Sequence, residues 1–343
     1  MESPEYLRIS LAAAMTLGFK GGSFYRNAKS PCVNVLLTYD SGCGGNCAYC
    51  GLSLKRIGSY NEKSFIRVGW PSFQLNDIIQ GINNNINKVD RICISMVTNG
   101  RATKDTIHLT QIFRENFNLP VSLLIAPTVL KKEDLIKFKE AGAERIGISV
   151  DAATPALFSY LRGEGVNGPH RWNRYWKCFE DALEVFGERM VGIHLIVGLG
   201  ETEKEMIETI QKVYNMGGTT HLFSFYPEVN SKLEEKFPPP IGQYRRIQLA
   251  RYLIDEGIID TKSFSFDNNG KITDFGLPSL KLNTIVESGK PFMTSGCPDE
   301  KGEVACNRPY SNSRPSKEIR NFPFLPEKED INKIKNELEI DLN

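Results

Sequence analysis

The amino-acid sequence predicts an α/β protein, a mostly parallel sheet covered by helices. Two observations carry this. Short apolar runs alternate with longer amphipathic ones from residue 32 to about residue 257, and parallel strands need a helical crossover between each pair. The 343 residues, 41% hydrophobic and 24% charged, suffice for one large globular domain with appendages.

Residues 1–31 read as an N-terminal extension: a short helix over Leu7–Leu17, a flexible Gly21-Gly22, then a basic, aromatic patch at Phe24-Tyr25-Arg26. Its apolar residues have two uses open to them, packing under the first strand or lining a substrate mouth. Candidate strands follow at Val33–Thr38, Arg91–Val97, Val121–Ala126, Arg145–Val150, Val191–Val197 and Thr220–Phe225. Between and after them lie candidate helices at Leu75–Asn87, Thr103–Asn116, Lys132–Ala141, Arg174–Phe186, Thr202–Asn215 and Tyr244–Glu256. Pro238-Pro239-Pro240 is a local breaker. The rhythm then stops. Residues 258–343 read as a C-terminal extension with polar turns, a cysteine-bearing coil at 296–315, and a charged helix, Glu327–Leu342, expected to be a solvated tail.

A formal net charge of +1 provides no basic surface for nucleic acid or for an anionic membrane. No apolar run reaches the ~18–20 residues of a membrane span. The Leu11–Leu17 stretch is short and has only Arg8 before it, so it reads as helix rather than a secretion signal. The expectation is a cytoplasmic protein with reduced thiols.

Three of the eight cysteines crowd into Ser41-Gly-Cys-Gly-Gly-Asn-Cys-Ala-Tyr-Cys50, just after the first candidate strand. Cys43, Cys47 and Cys50 are spaced C-x3-C-x2-C, with Tyr49 before the last. Three thiolates in one tight, glycine-rich loop suit three irons of a [4Fe-4S] cluster, and the fourth iron is left open to a small molecule. A zinc knuckle would want a fourth Cys or His close by, yet the nearest downstream histidine is His108. A disulfide framework suits a small secreted chain.

That spacing and its aromatic resemble the signature of the radical S-adenosylmethionine (SAM) superfamily. The resemblance implies a partial (β/α)6, TIM-like barrel with N-terminal and C-terminal extensions. It implies SAM bound by its amino and carboxylate groups to the open iron, and one-electron cleavage to a 5′-deoxyadenosyl radical that takes hydrogen from an unactivated carbon. Working residues of such barrels sit on loops after the strands' C-terminal ends, which is where the Cys43–Cys50 loop falls.

Other stretches extend the resemblance. His194-Leu-Ile196-Val-Gly198-Leu-Gly200-Glu201 resembles the G-x-I-x-G-x-x-E motif that lies against the adenine of SAM, with His194 where the family often has Gly. Thr202 is a helix N-cap candidate, and Glu203 and Glu205 suit the positive end of the helix dipole. Thr98-Asn99-Gly100 falls where the family contacts the methionine amino group through backbone carbonyls; an ordinary turn is the rival reading. Asp151 is a ribose acceptor or a helix cap. Arg174 falls where related sulfur-inserting enzymes place an arginine for the SAM carboxylate, and a surface arginine is the alternative. Tyr49, inside the cysteine motif, counts with this SAM-binding set.

Cys297 and Cys306, in a polar coil followed by Asn307-Arg308-Pro309-Tyr310, are expected to ligate a second Fe-S cluster; a redox pair or inert thiols are the alternative readings. Cys32 is the favoured third ligand, although a strand of about 20 Å separates it from the first loop. Cys93 is the alternative, its Arg91-Ile-Cys93-Ile echoing biotin synthases. Ser311 or Ser313 resembles the serine ligand of lipoyl synthases. Cys178, on a helix, is expected to pack.

The arrangement resembles most one subunit of the two-protein lipoyl synthase of archaea and some bacteria. That implies sulfur insertion into a protein-bound octanoyl chain. The implied partners are an octanoylated carrier protein or peptide, a second radical SAM subunit, and an electron donor such as ferredoxin or flavodoxin. Phe223, Phe225 and Tyr226 are candidates to line the slot for the chain. Biotin-synthase-like chemistry on a small molecule and a non-catalytic Fe-S or zinc scaffold are the rivals.

Overall fold

In the computed structural model the described residues are 1–65, 68–308 and 318–340. The chain enters through strand β1 (Tyr6–Ile9) and a short helix α1 (Leu11–Thr16), capped by the Ser10 side chain, which accepts from the Ala13 N–H. Leu7–Ile9 were expected to be helical. They are instead extended, because Leu7 and Ile9 flank Arg8 at the strand period of two and pair antiparallel with β2 (Cys32–Leu37), Leu7 opposite Leu37. A further short strand, β3 (Ser72–Gln74), covers the other edge of β1.

The six apolar runs are six parallel strands: β2, then β4 (Arg91–Ser95), β5 (Val121–Ile125), β6 (Ala143–Asp151), β7 (Val191–Val197) and β8 (Thr219–Ser224). Sheet order is β3-β1-β2-β4-β5-β6-β7-β8, the partial barrel expected, with two antiparallel strands added at its leading edge. The amphipathic runs cover it as α2 (Leu75–Asn84), α3 (Ala102–Asn116), α4 (Lys132–Glu140), α6 (Trp172–Phe186), α7 (Glu203–Asn215) and α8 (Ile241–Asp255). Helix α5 (Pro155–Arg162) has no counterpart in the sequence reading. Its start was signalled all the same: the Thr154 hydroxyl accepts from the Leu157 N–H and Pro155 opens the first turn.

Register decides which side chains meet inside the barrel. Cys32 lies opposite Arg91 and Asn34 opposite Cys93. Side chains alternate along a strand, so Cys32, Asn34 and Leu36 share a face with Cys93, and Leu36 lines the internal cavity.

Beyond α8 come the ribbon β9 (Ser265–Phe266) and β10 (Ile272–Asp274), then helices α9 (Ser279–Glu287) and α10 (Lys328–Leu338). Between these helices, residues 293–308 cross the strands' N-terminal ends. Leu222 N–H donates to Ser295 Oγ at 2.8 Å, Arg91 Nε to Pro298 O at 2.8 Å, and Asn307 Nδ2 to Lys29 O at 2.9 Å. Helix α10 is not the solvated tail expected. Its Ile331, Ile334 and Leu338 form one apolar stripe and are buried, while Arg245 and Arg246 of α8 bind the Glu337 carboxylate and the Leu338 carbonyl. Among the described residues no helix is long and apolar enough to cross a membrane.

Ile334, 1% exposed, tests that packing. Ile334→Ala is expected to lower unfolding stability by about 2–4 kcal/mol, read as a shift of the urea midpoint at unchanged slope. A solvated tail would leave the midpoint where it is.

Candidate active site

The loop carrying Cys43, Cys47 and Cys50 begins where β2 ends and is fastened on all sides. Gly44 N–H donates to Thr98 O at 2.7 Å, Ala48 N–H to Leu161 O at 2.7 Å, and Asn46 Nδ2 to Val166 O at 2.5 Å. All three cysteines line the internal cavity. Peptide N–H groups already point at two of the sulfurs, Gly45 to Cys43 and Leu52 to Cys50, each at 3.4 Å. Burial pushes the Cys47 thiol up to about 11 and the Cys50 thiol well above its ordinary range. Neutral thiols are what a buried loop without metal favours, and iron would displace the protons. The donor set fits a cluster held by three thiolates.

Beneath the loop runs a buried polar chain. Tyr49 OH donates to Asp151 Oδ2 at 2.5 Å, and Arg162 Nη1 donates to the same oxygen at 2.8 Å. Arg162 also reaches the Ser149 and Val150 carbonyls through Nη1 and Tyr175 OH through Nη2. Tyr175 OH meets His170 Nδ1 at 2.9 Å, and Thr128 Oγ1 meets the same nitrogen at 2.6 Å. Asp151 sits at φ 66°, a left-handed conformation that turns the chain out of β6 and brings the carboxylate under Tyr49. Burial, reinforced by Arg162 and Arg171, lowers His170 to about 2, so its ring is neutral.

The sequence-predicted SAM contacts divide. Tyr49, Thr98, Asp151 and Ile196 line the cavity. Asn99 instead pins the cluster loop, donating to Ser41 Oγ at 3.0 Å and Gly42 O at 3.2 Å. Glu201 folds back on its own turn and accepts from the Gly198, Leu199 and Gly200 N–H groups at 2.6–3.0 Å. Gly198, at φ 101°, is covered by Pro239, whose ring would lie 2.6 Å from any Cβ there. The close approach its missing side chain allows is therefore to the triple-proline segment. Arg174 is turned away from the expected role: Nε donates to Pro127 O at 2.9 Å and Nη2 to Leu130 O at 2.5 Å, fastening the β5–α4 connection. The guanidinium in the cavity wall is Arg162. Sequence reading missed it because α5 was missed; His170 and Tyr175, just before and inside the start of α6, went unread because only the tertiary contact with Arg162 and Thr128 brings them to the cavity.

The second cysteine group is assembled at the other end of the barrel. Cys32, Cys93 and Cys306 are packed together and buried, with Cys297 against them. Register brings both Cys32, the favoured candidate, and Cys93, the alternative, to one place. Gly296 lets the returning chain close on itself, for a Cβ there would sit 1.8 Å from Cys306 O. Asn34 Nδ2 donates to Cys32 Sγ at 2.8 Å. Cys306 is held below its ordinary range chiefly because the Cys32 thiol donates to it, helped by the Arg308 peptide N–H; Cys32 is raised by burial and by that same partner. Burial pushes Cys297 up, but the hydrogen bond and charge of His221 together bring it below the usual value. Ser311 and Ser313 lie outside the described residues. Cys178 is buried, as expected for a packed thiol. Among the described residues, no three His, Cys, Asp or Glu side chains converge as on a single ion; the thiols are grouped, not converged.

A parallel partial barrel with a three-thiol loop at its C-terminal mouth and a cavity behind it defines a class of iron–sulfur proteins that place a small ligand inside the barrel. Residues 39–213 match the model of the radical SAM superfamily, just over half of the chain, and the protein belongs to that superfamily, whose enzymes use a [4Fe-4S] cluster and SAM. Among solved structures it is similar to methylornithine synthase (TM-score 0.50, 13% identity, 71% of this chain and 66% of that one). It is also similar to HydG, a maturase of the [FeFe]-hydrogenase (TM-score 0.50, 14% identity, 71% of this chain and 53% of that one). At such identities the likeness shows the fold, and the chain spans less than two thirds of either protein. No curated protein sequence matches it.

His170 gives a pH test. Its folded pKa, about 2, lies below the unfolded value of about 6.5, so between those values the unfolded chain binds a proton that the folded chain does not. Stability contributed by keeping the ring neutral is complete above pH ~6.5. It falls by up to about 1.4 kcal/mol per pH unit below that. Urea unfolding of His170→Gln from pH 7 to 5 should show a shallower loss than wild type; equal slopes would refute the assignment.

Proposed function

We propose that this radical SAM enzyme inserts sulfur into a saturated carbon of a protein-bound octanoyl chain, as lipoyl synthases do. The observation that supports it is the grouping of Cys32, Cys93, Cys297 and Cys306 at the barrel floor, beyond the cavity whose mouth carries Cys43, Cys47 and Cys50. Cys43, Cys47 and Cys50 would hold the first cluster, and the floor cysteines a second one that serves as sulfur source. Saturated C–H bonds have no acidity for a base to exploit, so the bound SAM and its cluster supply the radical.

The remaining work belongs to the chain's own residues. Met96, Leu124, Ile196, Phe223 and Phe225 give the cavity apolar walls, which exclude water and other hydrogen donors and hold a hydrocarbon chain in line. Phe223, Phe225 and Tyr226 do border this slot, whereas no cavity-lining residue comes from the first thirty positions. Tyr49, Asp151 and Arg162 stiffen the wall under the first cluster loop. The partners in this reading are an octanoylated carrier protein or peptide, a second radical SAM subunit, and ferredoxin or flavodoxin as electron donor. Cys93 favours a second reading, biotin-synthase-like chemistry on a free small molecule, since its place in the floor group is the feature that echoes those enzymes.

Anaerobic reconstitution tests both. Wild type should carry about eight irons and Cys297→Ala/Cys306→Ala about four, one cubane holding four. The double variant should still release 5′-deoxyadenosine from SAM but form no thiolated octanoyl peptide. Four irons in both proteins would remove the second cluster. Turnover of a free acid in place of the octanoylated peptide would favour the small-molecule reading, and metal uptake without SAM cleavage a scaffold.

A further inference from the structure

Among the described residues, one buried cation in the cavity wall keeps two adjoining donors without an acceptor. Arg308 follows Cys306 by two residues, is 2% exposed, and lines the cavity that Cys43, Cys47 and Cys50 also line. Nη1 donates to Ser95 Oγ at 2.9 Å, and the guanidinium lies 5.1 Å from the Phe65 ring centroid and 5.5 Å from that of Trp70. These contacts fix its orientation. Nε and Nη2, however, are buried without a partner among the described residues, and together they form the side-on edge of the fork that suits paired anionic acceptors.

Other deeply buried arginines fill that edge. Arg8 directs it at the Trp70 and Lys63 carbonyls, Arg245 at Glu337 and Ile319 O, and Arg246 at the Glu203 carboxylate. Arg91 sends Nε to Pro298 O and Nη2 to Glu144. Arg162 leaves only Nε open. Arg308 alone among these keeps the whole edge free, and a hydrocarbon chain in the cavity offers it nothing. Its own peptide N–H donates to Cys306 of the floor cysteine group.

We propose that the free edge of Arg308 donates two N–H bonds to inorganic sulfide on the cavity-facing side of the second cluster, making it a positioning residue for the sulfur nearest the substrate. This rests on the second-cluster reading above. A cation that donates to a cluster sulfide also stabilises the more negative, reduced cluster, because hydrogen bonds and local charge set cluster potentials.

The test uses the reconstituted full-length enzyme with Arg308→Gln and Arg308→Lys, both checked for folding by thermal melt. Iron content should stay at about eight per chain. The midpoint potential of the second cluster should fall in the Gln variant and fall less in the Lys variant, which keeps the charge and loses the fork. The electron paramagnetic resonance signal of that cluster should change in both, with the SAM-binding cluster as an unshifted internal reference. An unchanged second-cluster signal and potential in both variants would overturn the inference. So would octanoate, but not octanamide, binding to wild type and losing affinity tenfold or more in the Gln variant, because the fork would then be a carboxylate receptor. A wild-type count of four irons removes the inference together with the reading beneath it, and iron analysis alone identifies that case.

Discussion

The rise of a single strand sets the separation between the two groups of thiols. β2 starts at Cys32 and ends at Leu37, and the loop bearing Cys43, Cys47 and Cys50 follows at once. Six residues at ~3.3 Å each put about 17 Å between the ends of the strand, so one group belongs to the barrel floor and the other to its mouth. Parallel pairing with β4 locks the strand, Cys32 opposite Arg91 and Asn34 opposite Cys93. A slip of one residue would turn Cys32 and Leu36 together to the outer face, losing a floor thiol and a cavity wall in one step.

The floor is completed from far along the chain, and arginines make the attachment. Arg91 at the start of β4 takes the Pro298 carbonyl, Ser122 Oγ and Glu144. Arg245 takes the Ile319 and Arg320 carbonyls, and Arg320 in turn takes Pro239 O and Ser224 Oγ. Each bond satisfies a carbonyl or side chain that burial would otherwise leave unpaired. A planar, always-charged donor with five N–H groups is suited to such multiple acceptors. The stretch holding Cys297 and Cys306 is thereby fixed against the barrel without forming a strand of the main sheet.

What could be read from the sequence follows from the range of the interactions concerned. Of the six parallel strands, β2, β4 and β5 are buried at every position and the others at most or alternate ones, so they announce themselves as apolar runs, and Cys43, Cys47 and Cys50 announce themselves by local spacing. β1 was hidden because Arg8, a charge in an apolar run, looked like a helix flank; its side chain is buried only because Trp70, Tyr60 and Lys63, more than fifty residues away, supply carbonyls. Cys32 was favoured over Cys93, yet both meet in one group, because strand register is a pairing property absent from either segment alone. Arg174 sat at the expected place in the sequence, yet its direction was decided by the orphan carbonyls of Pro127 and Leu130. Arg162 took the cavity because Asp151, at its left-handed backbone, was there to hold it.

The two thiol groups differ in the charge that surrounds them, and the difference fits what each would meet. At the mouth, burial, with the neighbouring thiols and carboxylates, raises Cys47 and Cys50, and the nearby cation, Arg162, is already paired with Asp151. At the floor, His221 opposes burial at Cys297, the Cys32 thiol and then Arg308 oppose it at Cys306, and Asn34 adds a donor to Cys32. Buried anionic sulfur needs compensating charge or hydrogen bonds. SAM is a sulfonium and brings positive charge to the mouth with it. An alkyl chain brings none, so in the reading proposed above a second cluster facing it would depend on cations that the polypeptide itself supplies, of which Arg308, two residues from Cys306, is one.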